Sequence, residues 1–237
     1  MTRDERPVIA GLRLTWQTFR APGRPGEARA KVAFGLWAPD DPDTTLDQIT
    51  QEEFDRSDER MPYFAAIWAS GESLAARVLA GPRLDGWHVL DLGCGLGPCG
   101  FAAAHQGANV TFFDWEPRAL QIVAASAIEQ DTPATAFEFV VGDWREPPPF
   151  GPFDLILGAD VLYERRNAPA VAAFLGHHLR PDEEAWIADP GRPQAEQFPA
   201  YARHEGLELL GDEILPPVHE PGTTPLEVRL LRLRRPR

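Results

Sequence analysis

Cysteine is scarce in this chain: 237 residues hold two, Cys94 and Cys99, both inside one glycine-rich stretch. That excludes a disulfide framework and makes a reducing cytoplasm the expected compartment. Long apolar runs are absent too. None approaches the roughly 18 residues a membrane span needs, so no membrane partner is expected. The opening Met-Thr-Arg-Asp-Glu-Arg leads into no apolar segment of the kind a signal peptide carries. Positive charge is also short. Lys and Arg total 23 against 36 Asp and Glu, a net charge of −13. A binder of nucleic-acid phosphates needs clustered cations, so no nucleic-acid partner is expected. Arg229, Arg232, Arg234, Arg235 and Arg237 do gather at the end, but Val228, Leu230, Leu231 and Leu233 interleave with them. Most of that bunch therefore reads as a strand with one exposed face. The six histidines show no ligand spacing; His177 and His178 are neighbours that point apart on a helix, and His178 falls on its apolar stripe. No metal site is expected. The composition leaves the oligomeric state open.

The pattern that is present is an alternation. Residues 1–60 differ from the rest, with strand-like segments at 8–19 and 31–37, a turn-forming link at 21–26 and an acidic stretch at 39–60. They read as a β-rich N-terminal extension on a domain spanning 61–237. A helical run starts at Pro62 and closes at Gly81-Pro82. Strand candidates at 87–92, 109–114, 137–141, 153–157 and 185–188 then alternate with helices at 98–106, 116–130, around 171–178 and at 194–204. Such alternation implies right-handed crossovers and a Rossmann-like, doubly wound α/β fold with a mostly parallel seven-stranded sheet. The last two strands, 207–215 and 226–233, have no helix between them and should form an antiparallel hairpin at one edge.

In such a sheet, ligands bind beyond the carboxyl ends of the strands, where the strand order reverses. The first core strand ends in Asp91-Leu92-Gly93-Cys94-Gly95-Leu96-Gly97-Pro98, and the second ends in Asp114. The glycines let a backbone pass close beneath a ligand, and Asp114 is placed to accept hydrogen bonds from ribose hydroxyls. Gly95, Gly97 and Gly100 also fit the G-x-G-x-x-G of dinucleotide enzymes, so the glycines alone do not choose a cofactor. Asp91 does more to choose. It would repel a pyrophosphate and suit the ammonium of an amino-acid tail. After the third strand, Gly142-Asp143-Trp144 offers a carboxylate for an adenine amino group and an indole to flank the ring. The structural alternative for all of these residues is turn chemistry and packing.

Asp-Leu-Gly-Cys-Gly-Leu-Gly, Phe-Phe-Asp-Trp-Glu-Pro and Gly-Asp-Trp resemble motif I, the acidic loop and the adenine loop of seven-strand class I methyltransferases. The resemblance implies S-adenosylmethionine as cofactor, held by Asp91, Gly93, Gly95, Gly97, Asp114, Trp115, Asp143 and Trp144. Gly158-Ala159-Asp160-Val161-Leu162-Tyr163-Glu164 is similar to the Asp-x-x-Tyr segment of the lysine-directed branch, and implies roles for Ala159 at the cofactor and for Asp160 and Tyr163 in catalysis. That branch also has a cofactor-lining tryptophan upstream of motif I, which Trp68 matches. The resemblance covers about residues 62–190.

Methyl transfer from a sulfonium needs donor and acceptor held in line and water excluded, with no covalent nucleophile. Cys94 and Cys99 accordingly read as small packing residues. Asp160 is expected to hold an acceptor ammonium and orient its lone pair after proton loss, and Tyr163 to add a hydroxyl or an aromatic wall. If Asp160 is structural, it caps a turn. The loop 189–193 lies at the same sheet end and either borders the acceptor or, with its two prolines, is a simple rigid connector. The expectation is an S-adenosylmethionine-dependent N-methyltransferase whose partner is a protein lysine. The rivals are a small-amine N-methyltransferase of the nicotinamide type, an NAD-dependent oxidoreductase, and a non-catalytic cofactor-binding regulator.

Overall fold

The computed structural model of the chain describes residues 7–20, 32–43, 63–130, 137–216 and 226–237. The turn-forming link at 21–26 and most of the acidic stretch lie outside the described residues, as does most of the connector before the last strand.

Three N-terminal strands, β1 (Val8–Ile9), β2 (Leu12–Arg20) and β3 (Val32–Pro39), form an antiparallel sheet of their own. The core sheet contains β4 (His88–Leu92), β5 (Asn109–Asp114), β6 (Phe137–Val141), β7 (Phe153–Ala159), β8 (Leu179–Asp189), β9 (Glu208–Leu215) and β10 (Val228–Arg234). Their order is β6-β5-β4-β7-β8-β10-β9. The first five are parallel, and β10 runs antiparallel to both β8 and β9. This is the mostly parallel seven-stranded sheet with a C-terminal antiparallel edge that the alternation predicts. Central β4 is apolar on both faces because helices cover both. Val89 joins one cluster of buried side chains, Leu90 and Leu92 the other.

Helices α1 (Ala69–Leu79), α2 (Pro98–His105) and α3 (Pro117–Ile128) supply the first cluster, and α4 (Asn167–His178) and α5 (Phe198–His204) the second. Pro117 opens α3, where a missing N–H costs nothing, and the Glu116 side chain caps it by accepting from Arg118 N. Several boundaries differ from the sequence pattern; the segment at 8–19, for one, is two strands, β1 and β2. The run expected from Pro62 begins as a 3-10 turn at Tyr63–Ala65, and the α-helix starts at Ala69 because Trp68 is extended at its N-cap. The helix expected at 194–204 is a 3-10 turn, Pro193–Gln197, followed by α5. Strand β8 starts six residues before 185. Its polar half is held by pairing, as in Arg234 opposite Glu184, and carries no apolar signature.

The N-terminal sheet packs on α2 and α3. Leu14, Leu36 and Trp37 are fully buried in the same cluster as Leu74 and Phe101. Trp37 N donates to Ser126 Oγ on α3 (2.9 Å). A single apolar cluster therefore spans the two sheets.

The order reverses across β4: β5 and β6 lie on one side, β7 and β8 on the other. The carboxyl ends of β4, β5 and β7 meet there, and the glycine loop 93–97 bridges β4 to α2. Gly100, in the first turn of α2, fits because it has no side chain: a Cβ would stand 2.3 Å from the Phe112 ring. Its N–H donates to Asp91 Oδ2 at 2.7 Å. Gly100→Ala should force α2 off β5 and destabilise the fold by about 1–3 kcal/mol, the usual cost of overpacking. Urea unfolding with an unchanged denaturant slope checks this; a stability equal to wild type would mean that α2 moves freely.

Candidate active site

A cavity of ≈ 240 Å³ opens at the strand ends. Of the residues singled out by sequence, Trp68, Asp91, Gly93, Gly95, Asp114, Trp115, Trp144, Ala159, Asp160 and Tyr163 line it. Gly97 and Asp143 do not. Gly97 caps α2 with φ 78°, and a Cβ there would meet the Phe112 ring at 2.8 Å, so its glycine is demanded by packing. Asp143 turns to its own loop, where its carboxylate accepts from Arg145 N, Nε and Nη2 at 2.9, 2.9 and 2.7 Å. It borders a smaller adjoining cleft that also reaches Trp115, Trp144 and Tyr163.

The floor of the cavity is two buried carboxylates. Asp91 Oδ2 accepts from Gly100 N, while Asp114 accepts from Gly95 N through Oδ2 and from Glu116 N through Oδ1, both at 2.9 Å. Gly93 and Gly95 take φ of +60° and +52° to turn the loop over this floor. Burial, with the Asp114 charge adding to it, pushes the Asp91 carboxyl up to about 8; burial raises Asp114 to about 6. Both thiols, Cys94 and Cys99, also line the cavity, and burial drives them well above the usual thiol range. They are poor nucleophiles, as the packing role requires. His178 accords with its sequence reading as well: its ring stacks on Phe150 and its Nδ1 lies 3.2 Å from Phe150 O.

At the other end of the cavity stand Tyr63, Asp160, Tyr163, Glu164 and Arg192. Asp160 holds a left-handed backbone, φ 59°, and its N–H donates to Ala188 O at 2.8 Å. Its carboxylate caps no turn. Oδ1 accepts from Arg192 Nε at 2.7 Å. The Tyr63 ring meets Trp68 edge-on at 5.9 Å and Tyr163 edge-on at 5.3 Å, a continuous aromatic wall. Neither Arg192 nor Tyr63 stands out in the sequence. The loop 189–193 is expected at this end, but nothing in it marks the arginine. Among the described residues no group of His, Cys, Asp and Glu is arranged to hold a metal, and no helix is long and apolar enough to cross a membrane.

This donor set fits a cationic ligand. Among the described residues, four carboxylates, Asp91, Asp114, Asp160 and Glu164, line the cavity against one guanidinium, Arg192. A pyrophosphate would meet Asp91 and Asp114 beneath the glycine loop, where dinucleotide enzymes present bare N–H groups. An adenosyl sulfonium with an amino-acid tail would meet charge of the right sign.

Known proteins point the same way. The family profile "Methyltransferase domain" matches residues 89–182. The chain is 35% identical over 124 residues to the protein N-lysine methyltransferase METTL21A of Danio rerio, covering 50% of this chain and 56% of that one. It is 32% identical over 143 residues to the electron transfer flavoprotein beta subunit lysine methyltransferase of Xenopus laevis, covering 58% and 56%. The chain thus spans little more than half the length of these curated relatives. Among solved structures, the fold is similar to magnesium protoporphyrin IX methyltransferase from Synechocystis with bound S-adenosylmethionine, at 19% identity and a TM-score of 0.58, covering 84% and 98%.

A raised carboxyl gives a signed pH dependence. Asp91 and Asp114 bind protons more tightly folded than unfolded, so their contribution to stability is full below the unfolded carboxyl value. It is lost as pH rises through about 6 and about 8. A ligand that brings positive charge to Asp91 favours its ionised form. Binding of S-adenosylmethionine should therefore release protons near neutral pH and tighten as pH approaches 8. Calorimetry in two buffers of different ionisation heat measures the release. Proton uptake, or no exchange, would contradict the placement of the ligand's ammonium at Asp91, and Asp91→Asn should abolish the release.

Proposed function

We propose that this chain, whose core is a class I methyltransferase domain with S-adenosylmethionine as its cofactor, transfers the methyl group to the nitrogen of a protein lysine. The observation that carries the reading is the chemistry of the acceptor end, a carboxylate beside an aromatic wall. Asp160, Tyr163 and Glu164 line the same cavity as the cofactor carboxylates, and the Tyr63 ring meets Tyr163 beside them. A carboxylate beside aromatic rings suits an acceptor that arrives as an ammonium, as a lysine side chain does. The similarity to two lysine methyltransferases supports the same acceptor. So does the net charge of −13, which attracts a basic surface.

When bound, S-adenosylmethionine supplies a methyl group on positively charged sulfur, activated for in-line displacement. The residues of the chain do the remaining work. Asp114 would hold the ribose hydroxyls with its remaining lone pairs, and Asp91 would hold the ammonium of the amino-acid tail. Trp68 and Trp144 wall the cavity against water. At the acceptor end, Asp160 Oδ2, which has no partner among the described residues, accepts from the incoming nitrogen and aims its lone pair. The proton the ammonium gives up leaves to water. With the cofactor bound, that lone pair would be aimed in line at the methyl carbon, and the carbon–sulfur bonding pair would be left on sulfur. The rings of Tyr63 and Tyr163 stabilise the positive charge that moves onto nitrogen.

Labelled S-adenosylmethionine, incubated with the protein and lysate of its source organism, should mark protein, and acid hydrolysis should return the label as methylated lysine. Label confined to small molecules would transfer the reading to a small amine. With the acceptor in hand, Asp160→Asn should lower turnover by about 10²- to 10⁴-fold while cofactor affinity stays nearly unchanged. Tyr163→Phe, which keeps the ring, should cost less. An Asp160→Asn protein of wild-type rate would remove the segment from the chemistry.

A further inference from the structure

The acceptor end carries an ion pair where the sequence pattern suggests a lone carboxylate. Arg192 Nε and Asp160 Oδ1 are 2.7 Å apart, on loops that leave neighbouring strands, β8 and β7. The arginine is held from behind. Asp189, which is 2% exposed at the end of β8, accepts from Gly191 N and Arg192 N through Oδ1, at 2.8 and 2.7 Å. Asp189 thereby fixes the backbone of Arg192, and Arg192 fixes one oxygen of Asp160.

The pair matters for the chemistry at this end. A lone carboxylate facing an acceptor amine would stabilise its ammonium form, which cannot attack. A guanidinium bonded to that carboxylate cancels most of its field while leaving Oδ2 free to orient a hydrogen-bonded nitrogen. Among the described residues, the groups that face this point are few. Asp160, Tyr163 and Glu164 come from the loop after β7, with Glu164 paired to Arg166. Arg192 and Asp189 come from the end of β8, and Tyr63 from the turn before α1. Asp91 and Asp114 lie on the floor. Arg192 is the sole guanidinium that the described residues give to the cavity lining, so the balance of charge at the acceptor end turns on it.

We infer that Arg192 is a positioning residue for methyl transfer: it holds Asp160 by one oxygen and offsets its charge, so that the acceptor amine is met in its neutral, attacking form. This rests on the amine-acceptor reading, but its test needs no acceptor. The probe is the cofactor analogue in which a primary amine on carbon replaces the S-methyl group, and the reference is S-adenosylhomocysteine, which has nothing at that position. Both are titrated into the full chain near neutral pH, and the ratio of their dissociation constants reports the field at the transfer point.

Arg192→Met exposes the analogue's ammonium to an uncompensated Asp160. It should raise the preference for the amine analogue about tenfold and the pKa of the bound amine by about one unit. Arg192→Lys, which restores charge without the planar fork, should stay near the wild-type ratio, and Asp160→Asn in the Arg192→Met background should abolish the gain. If Arg192→Met is unstable, Arg192→Gln, neutral and polar, makes the same comparison. An unchanged ratio in both neutral variants would overturn the inference, as would an equal gain in Arg192→Lys, since the effect would then come from shape. A lysate in which no lysine is labelled would end the lysine reading and leave this ratio untouched. An unchanged ratio beside labelled lysines would end only the role of Arg192.

Discussion

Two carboxylates buried side by side constrain the rest of the site. Asp91 and Asp114 are 2% and 5% exposed at the ends of adjacent parallel strands, and the hydrogen bonds they accept come from backbone N–H groups. Burial of like charges is costly and is met here by those N–H groups and by proton retention. The glycine loop brings the donors in. Gly95 in the loop donates to Asp114 and Gly100 in the first turn of α2 donates to Asp91, with Gly93, Gly95 and Gly97 taking left-handed turns between β4 and α2. The floor that results is short of positive charge, and a cationic nucleoside meets that need.

Much of this is legible in the sequence, for physical reasons. Strands buried on both faces announce themselves as apolar runs, and β4, β5 and β7 are visible that way. Pro98 and Pro117 mark the starts of α2 and α3. Asp91 and Asp114 stand out because a carboxylate at the end of an apolar strand is costly to bury unless donors or a ligand meet it. Strand β8 reads short, because its first half is polar and is held by its neighbours. Gly97 and Asp143 look like ligand contacts by position. Gly97 answers instead to the Phe112 ring, and Asp143 to Arg145 two residues away.

The acceptor end is only partly legible. Asp160 and Tyr163 stand out in one short segment, but the partner of Asp160 is 32 residues further on, beyond α4 and β8. Nothing local links an aspartate after one strand to an arginine after the next; the parallel pairing of β7 with β8 brings the two loops together. Tyr63 is similar. Its contacts with Trp68 and Tyr163 depend on the 3-10 turn that replaces the expected start of the helix. Side chains whose roles rest on tertiary pairing leave no periodicity to read.

The central claim is that the acidic floor selects a cationic adenosyl ligand over a pyrophosphate. Titration calorimetry of S-adenosylmethionine, S-adenosylhomocysteine and NAD against the full chain tests it most directly, with thermal melting alongside. The two adenosyl ligands should bind and raise the melting temperature by mass action, and NAD should give no heat. Clear binding of NAD with no binding of either adenosyl ligand would contradict the account.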